Sequence, residues 1–90
     1  MRLITWNCFR GDALTRAGDV ADLGPDVVVL QECARPVAAL DPDALAWFGD
    51  NPRHGAAVVA RAPYRLRPAP RCADAGGSVF PVRVERPHAR

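Results

Sequence analysis

The 90-residue sequence predicts a mixed α/β (α+β) fold, with a strand–helix–strand start followed by antiparallel strands. Three observations predict it. The opening Arg2-Leu3-Ile4-Thr5-Trp6-Asn7-Cys8 is β-branched and aromatic and stops at Arg10-Gly11-Asp12. Val27 to Leu30 form a continuous apolar run without alternation, the pattern of a strand buried on both faces. The second half breaks into short apolar stretches punctuated by glycine and proline.

Taken in order, the first strand covers Arg2 to Cys8. Residues 13–23 place Leu14, Ala17, Val20, Ala21 and Leu23 at helical spacing, with Asp12 as the N-cap and Gly24-Pro25 as the stop. This helix is expected to cover one sheet face through Leu14, Val20 and Leu23. The second strand covers Asp26 to Glu32. Arg35-Pro36 and Asp41-Pro42 then mark a loop holding one helical turn, at Val37–Leu40 or at Asp43–Leu45. Ala46-Trp47-Phe48 reads as a short strand and Gly49-Asp50-Asn51-Pro52 as a turn. Gly55 to Ala60 is the next strand, and Ala62-Pro63 turns it into Tyr64 to Arg67, ending at Pro68. Cys72 to Gly77 is a loop. Ser78 to Glu85 is the last strand, which Pro81 restricts to an edge or a bulge.

Composition sets the outer bounds. Ninety residues suffice for one small domain, and a hydrophobic content of 49% favours a folded globule. The Val27–Leu30 run is far short of the ~20 residues that span a bilayer, and MRLITWNCFRG has no signal-peptide core. A cytoplasmic chain with no transmembrane segment is expected. Residues 1–52 hold four arginines against eight acidic residues, while residues 53–90 hold eight against two. A basic second half suits phosphate groups, although Arg61, Arg65 and Arg67 also fit an ordinary solvated face. Cys8, Cys33 and Cys72 are odd in number and widely spaced, which signals neither a zinc site nor a disulfide framework. Reduced core thiols are the expected role for Cys8 and Cys33.

The residues with chemical potential stand at two strand ends. In a parallel crossover both strands finish at the same rim of the sheet, where ligands bind in such folds. Asn7 and Glu32 become neighbours there. A carboxylate beside an amide oxygen begins a magnesium site, because Mg²⁺ takes one or two carboxylates and completes its shell with water and substrate phosphate. The plainer alternative is that Asn7 closes a turn and Glu32 caps a backbone group.

Ile4-Thr5-Trp6-Asn7 followed by Pro25-Asp26-Val27-Val28-Val29-Leu30-Gln31-Glu32 resembles the two opening motifs of the endonuclease/exonuclease/phosphatase family. Trp47 to Val59 looks like that family's segment leading into a glycine-led core strand. The resemblance implies part of a four-layer α/β/β/α sandwich with a mixed sheet, and a Mg²⁺- or Mn²⁺-dependent phosphoesterase acting on phosphate esters. Carried over, it makes Glu32 the metal ligand and Asn7 its positioning partner, both at the catalytic site. His54 and Asn51 are candidate contacts to substrate phosphate, and the basic second half leans the substrate towards nucleic acid.

The family's later motifs do not occur. There is no Asp-x-Asn, since Asp50 and Asn51 are adjacent, and no Ser-Asp-His, since the one serine is Ser78. Of the two histidines, His54 precedes a strand, where a plain surface histidine is the alternative to a phosphate contact, and His88 sits two positions before the last residue. The expectation is the N-terminal portion of that domain over residues 1–90, truncated, inactive alone and prone to self-association. A catalytically silent remnant or binding fragment of the same fold is the alternative. An unrelated α/β domain with a coincidental match is a third reading.

Overall fold

β1 (Leu3–Asn7), α1 (Ala13–Asp19), a 3-10 turn (Ala21–Leu23), β2 (Val27–Cys33), β3 (Leu45–Asn51), β4 (His54–Ala60), β5 (Arg65–Pro68) and β6 (Val82–Glu85) follow one another along the chain. They are seen in a computed structural model that describes residues 1–36, 41–70 and 80–87. β1 pairs parallel with β2, with Leu3 opposite Val27 and Asn7 opposite Gln31. β2 and β3 both pair antiparallel with β4, giving a mixed sheet ordered β1-β2-β4-β3. β5 and β6 form a separate antiparallel pair. The fold is therefore mixed α+β, dominated by strands and carrying one helix among the described residues.

The apolar run explains why β2 lies inside the sheet. Val28 and Leu30 face α1, in a cluster with Cys8, Ala13, Cys33, Leu45 and Ala57 that Trp6, Ala17, Val20, Trp47 and Val59 flank. Val27 faces the other way, against Val58, Ala60 and Leu66, with Val29, Ala46, Tyr64 and Val82 around them. Burying a side chain as completely as Leu30 or Leu66 contributes about 1.5–3 kcal/mol. The β5–β6 pair covers this second face in part. Its attachment is also polar: the Leu66 amide donates to the Asp43 carbonyl at 2.8 Å, and Arg67 Nη1 meets Asp43 Oδ1 at 2.6 Å. Arg67 Nε also approaches Glu85 Oε2 at 3.7 Å, so this arginine is occupied by carboxylates.

Several boundaries differ from the sequence expectation. The helix is shorter than residues 13–23. Asp12 caps it by accepting from the Leu14 and Thr15 amides, but regular geometry ends at Asp19, and Gly24 closes the 3-10 turn in the left-handed region. Gly18, Asp19 and Val20 are weak helix formers, which accounts for the early stop. Leu14 and Leu23 are exposed, so Ala13, Ala17 and Val20 cover the sheet instead.

β3 also continues through residues 49–51, where glycine and two polar residues suggested a turn. Pairing with β4 overrides that punctuation, and a register shift between Phe48 and Asn51 absorbs the irregularity. The turn of the loop lies at Pro42–Ala44, where the Leu45 amide donates to the Asp41 carbonyl at 3.0 Å. The alternative at Val37–Leu40, the loop at Cys72–Gly77 and residues 78–79 of the last strand lie outside the described residues. β6 begins at Val82, just after Pro81, whose missing N–H cannot join a ladder.

Gly55 opens the core of β4 for a steric reason. A Cβ there would stand 2.3 Å from Trp47 Cζ2 and 2.4 Å from the Phe48 carbonyl oxygen. The indole packs over that bare backbone, and its Nε1 donates to the Cys33 carbonyl at 3.2 Å. Among the described residues no helix is long and apolar enough to cross a membrane.

Candidate functional site

Three backbone segments meet at the rim where β1 and β2 end. The β1 ladder continues past Asn7, because the Cys8 amide donates to the Gln31 carbonyl at 3.1 Å and the Arg10 amide to the Glu32 carbonyl at 2.8 Å. The Ala34 amide donates to the Gly11 carbonyl at 2.8 Å, and the Arg35 amide to the Pro52 carbonyl at 2.7 Å. The β1–α1 loop, the end of β2 and the β3–β4 turn are thereby tied together.

Glu32 occupies a bulge. Gln31 pairs with Ala56 and Cys33 with Gly55, which leaves Glu32 as the extra residue, and its φ is +56°. A bulge with a left-handed residue breaks the alternation and re-aims a side chain, and bulges concentrate beside functional sites. The break returns Cys33 to the core and leaves Glu32 exposed. Asn7 is exposed at the same rim, one step back in register, opposite Gln31. Its Oδ1 accepts from the Phe9 amide at 3.3 Å, which starts the β1–α1 loop.

That loop is unusual in its backbone. Phe9, Arg10 and Gly11 have φ values of +41°, +83° and +98°. Arg16 braces it from α1, its Nε donating to the Arg10 carbonyl at 2.9 Å while the guanidinium lies 5.7 Å from the centre of the Trp6 ring. On the opposite side, Asn51 Oδ1 accepts from the Arg53 amide at 2.9 Å and shapes the β3–β4 turn. Arg10, Gly11, Ala34, Arg53 and His54 line a polar cleft of about 380 Å³ between the two loops. Asn51 is not among those lining residues.

No family model, curated protein or solved structure matches this chain. The family resemblance rests on the motifs alone.

The four residues singled out from sequence therefore have different settings. Asn7 and Glu32 share the rim. His54 opens β4 and lines the cleft, while Asn51 spends its side-chain oxygen on a turn. Among the described residues, no hydrogen bond or ion pair engages the side chains of Glu32, Arg53 or His54. No three His, Cys, Asp or Glu side chains among them group as a metal site. Glu32 and Asn7 nonetheless suit Mg²⁺ or Mn²⁺ as an open, partial donor set, one unpaired carboxylate and one amide, with the remaining positions left to water and phosphate.

Sequence reading missed Arg10 and Arg53. Each stands beside a residue that was singled out or a glycine stop, but only the fold shows that the two loops meet. Cys8 and Cys33 are buried beside this rim as free thiols. Burial, and secondarily the neighbouring Cys8, push the Cys33 thiol up to about 11. Its Sγ lies 3.7 Å from the Gly55 carbonyl oxygen, and Cys8 Sγ lies 3.3 Å from that of Gln31.

Proposed function

We infer that this chain contributes the Glu32 and Asn7 part of the active site of a Mg²⁺- or Mn²⁺-dependent phosphoesterase or phosphodiesterase. The observation that carries this reading is the Glu32 bulge. A left-handed, exposed and unpaired carboxylate stands at the carboxyl end of a parallel strand pair, beside Asn7. The bound metal would offset charge on a phosphate ester. Glu32 would hold it, and Asn7 would orient that carboxylate or a metal-bound water. Arg10, Arg53 and His54 make the adjoining cleft suitable for an anionic substrate, with nucleic acid the favoured class because the chain's basic residues concentrate after residue 52. In this reading the mixed sheet and the β5–β6 pair are portions of a four-layer α/β/β/α sandwich, located in the cytoplasm.

A Mn²⁺ titration followed by NMR tests the metal site. Paramagnetic broadening should centre on the amides of residues 7–10 and 31–33, and Glu32→Gln should abolish it. Broadening that is unchanged in Glu32→Gln removes this residue from the site.

A second reading, a catalytically silent remnant or binding fragment, draws support from two observations. Asn7 Oδ1 is already engaged by the Phe9 amide, and no three His, Cys, Asp or Glu side chains group as a metal site among the described residues. Hydrolysis of a model phosphodiester with Mg²⁺ separates the two. This chain on its own should show no appreciable turnover, and robust turnover lost in Glu32→Ala would assign the chemistry to it directly.

A further inference from the structure

We propose that the cleft between the β1–α1 loop and the β3–β4 turn is a phosphate-binding subsite, with Arg10 and Arg53 as its cationic arms and His54 as a third donor. The identification of the ligand as a substrate phosphate rests on the phosphoesterase reading; the anion site itself rests on the geometry alone.

Four observations carry it. Two guanidinium groups and an imidazole line one cleft, together with the small residues Gly11 and Ala34. No carboxylate is among those five residues, so the positive charge is not neutralised within the cleft. Among the described residues both guanidinium groups are also free of carboxylate partners, whereas Arg16 meets Asp19, Arg67 meets Asp43 and Glu85, and Arg83 meets Glu85. Arg10 lies over the Phe9 ring at 5.3 Å, and Arg53 makes no side-chain hydrogen bond or ion pair among the described residues.

The fourth observation is rigidity. Each cationic residue sits on a short backbone segment that is hydrogen-bonded to the strand ends. Arg10 is held by its own amide to Glu32 and by Arg16 at its carbonyl. Arg53 follows Pro52, whose carbonyl accepts from Arg35, and its amide is fixed by Asn51. Held in this way at their backbones, the two residues bring to one cleft planar guanidinium forks that suit the oxygens of a tetrahedral anion. The cleft volume of about 380 Å³ falls within the range of small-ligand sites, about 300–1,000 Å³. Glu32 leaves the sheet at the edge of this cleft, through the hydrogen bond to Arg10. A phosphate seated between the two arginines would thus lie near the residue to which metal binding is assigned.

The test is a metal-free NMR titration of the full chain at low salt, with inorganic phosphate, dimethyl phosphate and a short single-stranded oligonucleotide as separate probes. Saturable shifts confined to Gly11, Ala34, Arg53 and His54 are expected. Arg10→Gln and Arg53→Gln should each weaken binding at least about tenfold, the scale of one lost charge-assisted hydrogen bond. Arg65→Gln, an equal charge loss on β5, should leave it unchanged. Binding of dimethyl phosphate and the oligonucleotide at the same residues assigns a diester ligand; binding of inorganic phosphate alone assigns a free phosphate or monoester. Linear, unsaturable shifts, or equal weakening by all three substitutions, overturn the subsite. Because no metal is present, absence of Mn²⁺ binding at Glu32 overturns the phosphoesterase reading without touching this result.

Discussion

The Arg10 amide donates to the Glu32 carbonyl at 2.8 Å, and both residues have left-handed backbones, with φ of +83° and +56°. The bulge and the loop therefore hold each other in conformations that L-residues avoid. Such geometry costs of order 1–3 kcal/mol per residue and persists only where surrounding structure imposes it. Here the parallel ladder, the Ala34–Gly11 hydrogen bond and the Arg16 brace impose it.

The first prediction separates the backbone of Glu32 from its carboxylate. Glycine accepts a φ of +56° without the steric cost, although it adds freedom to the unfolded chain. Glu32→Gly should leave stability unchanged or raise it by up to about 1 kcal/mol, while removing Mn²⁺ binding. Chemical denaturation and the Mn²⁺ titration check the two halves. A loss of more than that amount would mean that the carboxylate supports the fold.

The second concerns the Arg16 brace. A Cβ on Gly11 would lie 2.3 Å from Arg16 Nε, at a φ of +98°. Gly11→Ala should destabilise by about 1–3 kcal/mol and loosen the loop. Arg16→Ala made in that background should cost less than it does alone, because the clash goes with the side chain and only the backbone strain remains. A double-mutant cycle with a coupling of about 0.5 kcal/mol or more is expected. Strict additivity would show that the brace and the glycine act separately.

The sequence was most legible where one physical effect dominates. Val27 to Leu30 carry no polar residue, so β2 could only be an interior strand, and its two faces do pack against separate clusters. Asp12 and Gly24 bound the helical region as their chemistry suggests. Legibility failed where two effects compete. Leu14 and Leu23 satisfied a helical period, yet the short helix turned them outward and left alanines against the sheet. Glu32 looked like the next residue of a regular strand, because a bulge is set by pairing with β4 rather than by local pattern. Arg10 and Arg53 were invisible as a pair for the same reason: 43 positions separate them, and only the sheet order brings their loops together.

Self-association is the third prediction. β1 stands at an edge of the sheet, and Leu3, Phe9 and Leu23 are 54%, 66% and 57% exposed along β1 and its connections to α1 and β2. An open strand edge with apolar side chains beside it invites pairing between copies. Sedimentation should report an average mass that rises with concentration, and Leu3→Lys should reduce that rise. A strict monomer at every concentration would show that the edge is adequately protected.

The last prediction uses Cys33, which is fully buried and whose thiol is pushed up from 9.0 to about 11 by burial and then by Cys8. In the unfolded chain the thiol ionises near its ordinary value, so between pH 9 and pH 11 the native state holds a proton that the unfolded state has released. A raised native pKa contributes stability that is complete below the unfolded value and is lost as pH rises through the native one. Stability should therefore be flat with respect to this group below pH 9 and fall between pH 9 and pH 11. Cys33→Ala should flatten that alkaline decline, and its own cost, read at neutral pH, should be modest because the thiol acts there as a small apolar group. Denaturation midpoints measured across that window, in the wild type and Cys33→Ala, decide the matter. Parallel declines in both proteins would clear Cys33 of any part in the alkaline transition.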